Sequence, residues 1–139
     1  MLYSFAMGAL LQFALGIQTQ ANAAFGEAMD AGFFALLFVQ LFGEELFKIN
    51  VLLGILLLLF RRSNNRKSAV VIAVFATSLV FGLAHYAAYG SIVQILLVQG
   101  LGCIIDVFAY LKTKNILTSY AIHLPLDFIP LGLAALGAV

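Results

Sequence analysis

Glu44, Glu45 and Lys48 lie inside the run Ala31 to Phe60, where the other polar side chains are Gln40 and Asn50. An ionised side chain at bilayer depth costs about 2.5–3.5 kcal/mol on insertion scales, so charges kept in such a setting usually have a task. The other acids and histidines set in apolar runs are His85, Asp106, His123 and Asp127. Three pairs stand four residues apart, the spacing that puts side chains on one helix face: Glu44 with Lys48, Phe81 with His85, and His123 with Asp127. Peptide hydrolysis needs a base that takes a proton from water and a donor that holds the developing oxyanion, and Glu and His can supply both. The chain therefore reads as a scaffold that brings two histidines and an acid to Glu44 and Glu45. The same residues admit two other readings: each pair is a hydrogen-bonding contact between helices, or Glu, His, His and Asp together bind zinc. The sequence holds no His-Glu-x-x-His, no Gly-rich phosphate loop and no Cys-x-x-Cys pair, so neither a metal nor a cofactor is expected.

The elements that must carry these residues are membrane helices. Of 139 residues, 64% are hydrophobic and 9% charged, and the mean hydropathy of +1.11 is far above that of a soluble domain. The expected fold is an all-α, multi-pass bundle of about five membrane helices, a single membrane domain over 1–139 with its motif-bearing core at about 31–136. The lipid bilayer is its first partner. Arg61, Arg62, Arg66 and Lys67 share one short loop, and Lys112 and Lys114 another. Such clusters form no nucleic-acid footprint, and the positive-inside rule puts both loops in the cytoplasm of a cell-membrane protein. Gln18 to Asp30 carries Glu27 and Asp30 but no Lys or Arg, which suits an external loop. Cys103 stands alone in an apolar segment and reads as a buried, inert thiol.

Apolar runs divide the chain. Leu2 to Ile17 reads as a first membrane helix; the triplet Ala21-Asn22-Ala23 imitates a signal-peptidase site, but the basic stretch a signal peptide needs is absent. Ala31 to Phe60 would reach roughly 45 Å as a helix, against a hydrocarbon core of about 30 Å, so it must tilt, protrude or break. A third helix is expected from about Ala69 to Tyr89, ended by Gly90, a fourth from Ser91 to Leu111 and a fifth from Ile116 to about Leu136. Pro125 frees the carbonyl of Ala121, either as tolerated architecture or as an opening for a peptide. Asp106 reads as the partner of Lys112 or Lys114. Gly82, Ala84, Gly100 and Gly102 read as packing positions.

The ordered set Glu44-Glu45, Phe81-x-x-x-His85 and His123-x-x-x-Asp127 resembles the motifs of the CAAX protease and bacteriocin-processing family, also called the Abi family of intramembrane glutamate proteases. The resemblance covers about residues 35 to 135, including the run Tyr110 to Ile116 that leads to Ser119 and His123. Relatives have an Arg where this chain has Ile49, with Lys48 one position early, and they carry further helices before the first motif. The resemblance implies an intramembrane endopeptidase in which Glu44 and His85 activate water, His123 supported by Asp127 holds the oxyanion, and Glu45, Lys48 and Phe81 keep these groups in place. The substrate would be a peptide, a prenylated-protein tail or a bacteriocin precursor. A non-catalytic immunity or scaffold protein of the same fold is the alternative, and a proton- or cation-coupled transporter is a third. Neither substrate identity nor oligomeric state is written in apolar helices.

One count opposes a single site. From the basic loops, Glu45 and His85 lie about fifteen residues deep and His123 about eight or nine, a mismatch of roughly 10 Å at 1.5 Å per residue.

Overall fold

A computed structural model describes residues 2–17 and 30–135, and among these every regular element is helical. Helix α1, Leu2–Ala9, runs into a π-helical turn, Leu10–Ala14, and the chain then turns at Gly16 with φ 65°. The expected external loop falls, except for Asp30, on residues outside those described.

Helix α2 spans Ala31–Arg62. It does not break. Asp30 caps it by accepting from the Phe33 amide at 2.8 Å, and Arg61 and Arg62 in the last turn oppose the partial negative charge of the carboxyl end. Asn65 then accepts from Ser68 N at 3.1 Å and starts α3, Arg66–Ala84. This helix begins three residues before the expected Ala69 and stops short of Tyr89. His85, at φ −86° and ψ 0°, ends it, and α4, Tyr86–Tyr89, follows as a single turn closed by Gly90 in the left-handed region at φ 66°.

The expected fourth helix is interrupted. Helix α5, Ile92–Gln94, passes into a π-helix, Ile95–Gly100, before α6 resumes at Ile104–Thr113. The tertiary setting accounts for the wide turn. Gly82 and Gly100 let α3 and the π-helix approach backbone to backbone, so that a Cβ on Gly82 would stand 2.6 Å from the Ile95 carbonyl oxygen. Ser78 Oγ donates to the Gly100 carbonyl at 2.5 Å, and Tyr3 of α1 donates to the Leu97 carbonyl. π-Helical turns free carbonyls in this way and often occur at functional sites. Lys114, left-handed at φ 56°, ends α6, and α7, Ile116–Ala135, is continuous through Pro125.

Arg66–Ala84 and the 22-residue rod Ile92–Thr113 are long and apolar enough to cross a membrane. Helix α2 has the length, with its charges concentrated at mid-helix and at the Arg61-Arg62 end. The surface is apolar: Leu36, Leu58, Phe75 and Phe108 are all exposed. The interior holds Glu45, Lys48, Thr77, Asp106, Ser119 and His123. This arrangement, apolar outside and charged within, is what a lipid solvent favours. Helix α2 packs against α3 and α7, and α6 against α7. Below the charged cluster the core is Ile49, Leu52, Leu56, Ala73, Phe81, Cys103 and Val107. Cys103 is buried there as a free thiol.

Candidate active site

The polar residues of α2, α3, α6 and α7 meet in two layers. The outer layer borders an open cavity of about 640 Å³, lined by Glu44, His85, His123 and Asp127 among apolar neighbours such as Leu37, Phe47, Val98 and Leu131. Glu44 Oε2 stands 3.7 Å from His85 Nε2 and 3.9 Å from His123 Nε2. Both gaps exceed a direct hydrogen bond, so the three groups converge without closing on one another. Gln40, one turn earlier on α2, donates to Glu44 Oε1 at 3.1 Å and holds the carboxylate's other edge.

His85 sits where α3 ends. Its Nδ1 is 2.9 Å from the Phe81 carbonyl, which as an acceptor assigns a proton to Nδ1 and leaves Nε2 facing Glu44. The Phe81 ring lies 4.5 Å, centroid to centroid, from the imidazole and fixes its plane. Tyr89 also stacks on the imidazole, its centroid 6.3 Å away.

The inner layer is buried and centres on Lys48, which is fully excluded from solvent. Its ammonium ion-pairs with Glu45, three residues earlier, and with Asp106 of α6, and lies 4.7 Å over the Phe81 ring. The expected Glu44–Lys48 pairing is therefore corrected: α-helical geometry allows i+3 as well as i+4, and the partners on α6 and α7 decide for Glu45. The Asp106 expectation is corrected too. Residues six apart on a helix point to different faces, so Asp106 turns away from Lys112 and inward to Lys48. Ser119 of α7 donates to Glu45 Oε2 at 2.6 Å and approaches the Asp106 carbonyl at 2.8 Å. His123 Nδ1 is 2.9 Å from Glu45 Oε1. Glu45 therefore orients His123, whereas Asp127 lies 3.5 Å from Nε2, the cavity-facing nitrogen.

The depth mismatch is absorbed by hairpins of unequal length. His85 follows Arg66 by nineteen residues, about 28 Å of helix, and His123 follows Ile116 by seven, about 10 Å, yet both reach Glu44. The α6–α7 turn thus stands much closer to the site than the basic α2–α3 loop does.

Donor atoms of Glu44, His123 and Asp127 lie within 4.8 Å of one another, as do those of Glu45, Asp106 and His123. The Lys48 ammonium already occupies the second set as its cation. Glu44, Glu45, Lys48, Phe81, His85, His123 and Asp127 are all brought together. Sequence reasoning missed Gln40, readable as one turn before Glu44, and the place of Asp106.

A family model described as Rce1-like, type II CAAX prenyl endopeptidase, matches residues 29–129. No curated protein and no solved structure matches the chain.

Proposed function

The chain belongs to the Rce1-like family of type II CAAX prenyl endopeptidases, and from that premise we propose that it is an intramembrane peptidase in which Glu44 and His85 activate water. The observation that carries the reading is the convergence of Glu44 Oε2 with His85 Nε2 and His123 Nε2, from three helices, on the wall of one cavity. A water held between Glu44 and His85 Nε2 attacks the scissile carbonyl carbon, and Glu44 takes its proton. His123, with Nδ1 on Glu45, donates from Nε2 to the oxyanion, a role that requires a proton on both ring nitrogens. As the carbon–nitrogen bond breaks, Glu44 returns the proton to the leaving amine. Lys48 keeps Glu45 from standing as an unpaired buried charge. Asp127, partly exposed at the cavity edge, faces the same nitrogen of His123 and adds negative charge beside it.

The substrate class is a protein or peptide tail carrying an isoprenoid, whose chain would lie among the apolar lining residues. The bundle would span a cell membrane with about five helices, and with the basic loops Arg61 to Lys67 and Lys112 to Lys114 in the cytoplasm.

The test is cleavage of a farnesylated peptide ending in Cys-aliphatic-aliphatic-X by purified protein in detergent. Glu44→Gln, His85→Ala and His123→Ala should each remove about 10²-fold or more of the rate while the protein stays folded and inserted. Glu44→Gln cleaving at the wild-type rate sinks the mechanism. Wild-type protein that cleaves no prenylated tail leaves the immunity or scaffold reading in its place. Chelators should leave cleavage unchanged; a loss that added zinc restores would assign Glu44, His123 and Asp127 to a metal.

A further inference from the structure

Asp106 has no part in activating water or holding the oxyanion in this mechanism, yet it lies at the inner wall of the cavity, 1% exposed and ion-paired with Lys48. Its Oδ1 is buried without a hydrogen-bond partner. A buried carboxylate oxygen left bare is costly and asks for an explanation. Neutralising Lys48 does not supply one, because Glu45 already does so from the same helix.

The charge count within the buried layer is informative. Glu45 and Asp106 contribute two negative charges and Lys48 one positive, all nearly without solvent. One negative charge is in surplus. The closest group that can use it is His123, whose Nδ1 is 2.9 Å from Glu45 Oε1 and 3.4 Å from the Lys48 ammonium. The other groups facing His123 are Glu44 from α2, Asp127 from its own helix, and the Phe81 ring from α3. An ammonium shared between two carboxylates pulls less on either, so Glu45 keeps charge to spend on the imidazole.

We propose that Asp106 is a positioning residue: by drawing the Lys48 ammonium toward α6, it leaves Glu45 free to hold His123 through Nδ1, so that Nε2 is presented to the oxyanion. This deepens the hydrolytic reading and rests on it. Without Asp106, Lys48 and Glu45 form a closed neutral pair and the grip on His123 loosens. Removing one charge of each sign restores the surplus.

The experiment compares wild type, Asp106→Asn and the double variant Lys48→Met with Asp106→Asn as full chains in detergent. The farnesylated peptide above is the probe, and rates are normalised to folded protein. Asp106→Asn should lower kcat about 10–100-fold, the range of an outer partner that orients a functional His, with KM within about twofold. The double variant should regain rate over Asp106→Asn alone without reaching wild type, because the charge on Glu45 is freed again while its Lys48 partner is lost; a merely structural counter-ion would make the two losses compound instead. A second readout needs no substrate: with ¹⁵N-labelled histidine, the proton on His123 Nδ1, identified by its loss in His123→Ala, should be held in a strong hydrogen bond in wild type and the double variant and shifted in Asp106→Asn. An unchanged kcat or an unmoved Nδ1 proton in Asp106→Asn overturns the proposal. If Asp106→Asn does not fold, the double variant decides, and a folded but inactive double variant overturns it. Wild-type protein that cleaves nothing sinks the hydrolytic reading, and the Nδ1 proton then decides whether Asp106 sets the arrangement.

Discussion

Gly82→Ala should be the most damaging glycine-to-alanine change among the described residues. The new Cβ would stand 2.6 Å from the Ile95 carbonyl oxygen and 3.2 Å from Gly100 Cα, all backbone atoms with no rotamer to escape into. Ordinary contact begins at about 3.4 Å, so α3 and the π-helix Ile95–Gly100 must separate by about 0.8 Å. Overpacking of this kind costs about 1–3 kcal/mol, here at the upper end because only backbone can yield. Replacing a helical glycine returns about 1 kcal/mol. The net loss of about 2 kcal/mol corresponds to a fall of roughly 4–8 °C in the melting temperature of the detergent-purified protein. The separation also acts three residues before His85, and misplacing a reacting group by about 1 Å can cost 10²-fold in rate. Gly100→Ala, with contacts of 3.0 and 3.2 Å, should do the same more mildly, and Gly54→Ala, which meets nothing within 4 Å, should not destabilise at all. If Gly82→Ala melts with the wild type, the close approach of these two segments does not exist and the geometry around His85 must be redrawn.

Other outcomes follow from the polar layers. Asp127→Asn should retain partial cleavage, because an amide still hydrogen-bonds and Glu45, not Asp127, orients His123; full loss would assign Asp127 a direct part. Ser119→Ala removes the hydroxyl that joins Glu45 to the Asp106 carbonyl and should cut the rate about tenfold with little change in KM, read in the same peptide assay. A cysteine at Asn64 should react with a membrane-impermeant thiol reagent only after the cell membrane is opened, whereas Cys103, buried in the core, should stay unlabelled throughout. Labelling at Asn64 from outside intact cells would reverse the topology.

Local signals carried much of the fold. The Asn65 cap and the basic last turn of α2 are readable in order along the chain, and so is the left-handed Gly90. The features that depend on a distant partner were not. Gly82 and Gly100 were readable as packing positions and do meet, but the π-helix at Ile95–Gly100 that forms where the backbone of α3 presses on it was not, because the wide turn depends on that distant contact. The pairs at spacing four marked the residues that gather at the cavity. The Glu44–Lys48 pairing expected from spacing four was wrong, because Glu44 and Glu45 both lie within reach of Lys48 along α2 and the choice depends on partners on other helices, such as Asp106, 58 residues away. His85 was expected inside a helix, and its place at the end of α3 follows from the break that lets α4 turn away.

The buried Lys48 cluster also imposes an order on biosynthesis. Helix α2 leaves the ribosome with Glu44, Glu45 and Lys48, a burden of roughly 7–10 kcal/mol if all three enter lipid alone. The Glu45–Lys48 pair within one turn relieves part of it at once. The rest waits for Asp106 and His123, which emerge 58 and 75 residues after Lys48. If α2 crosses the membrane, its charged layer would be complete only once α6 and α7 have been made.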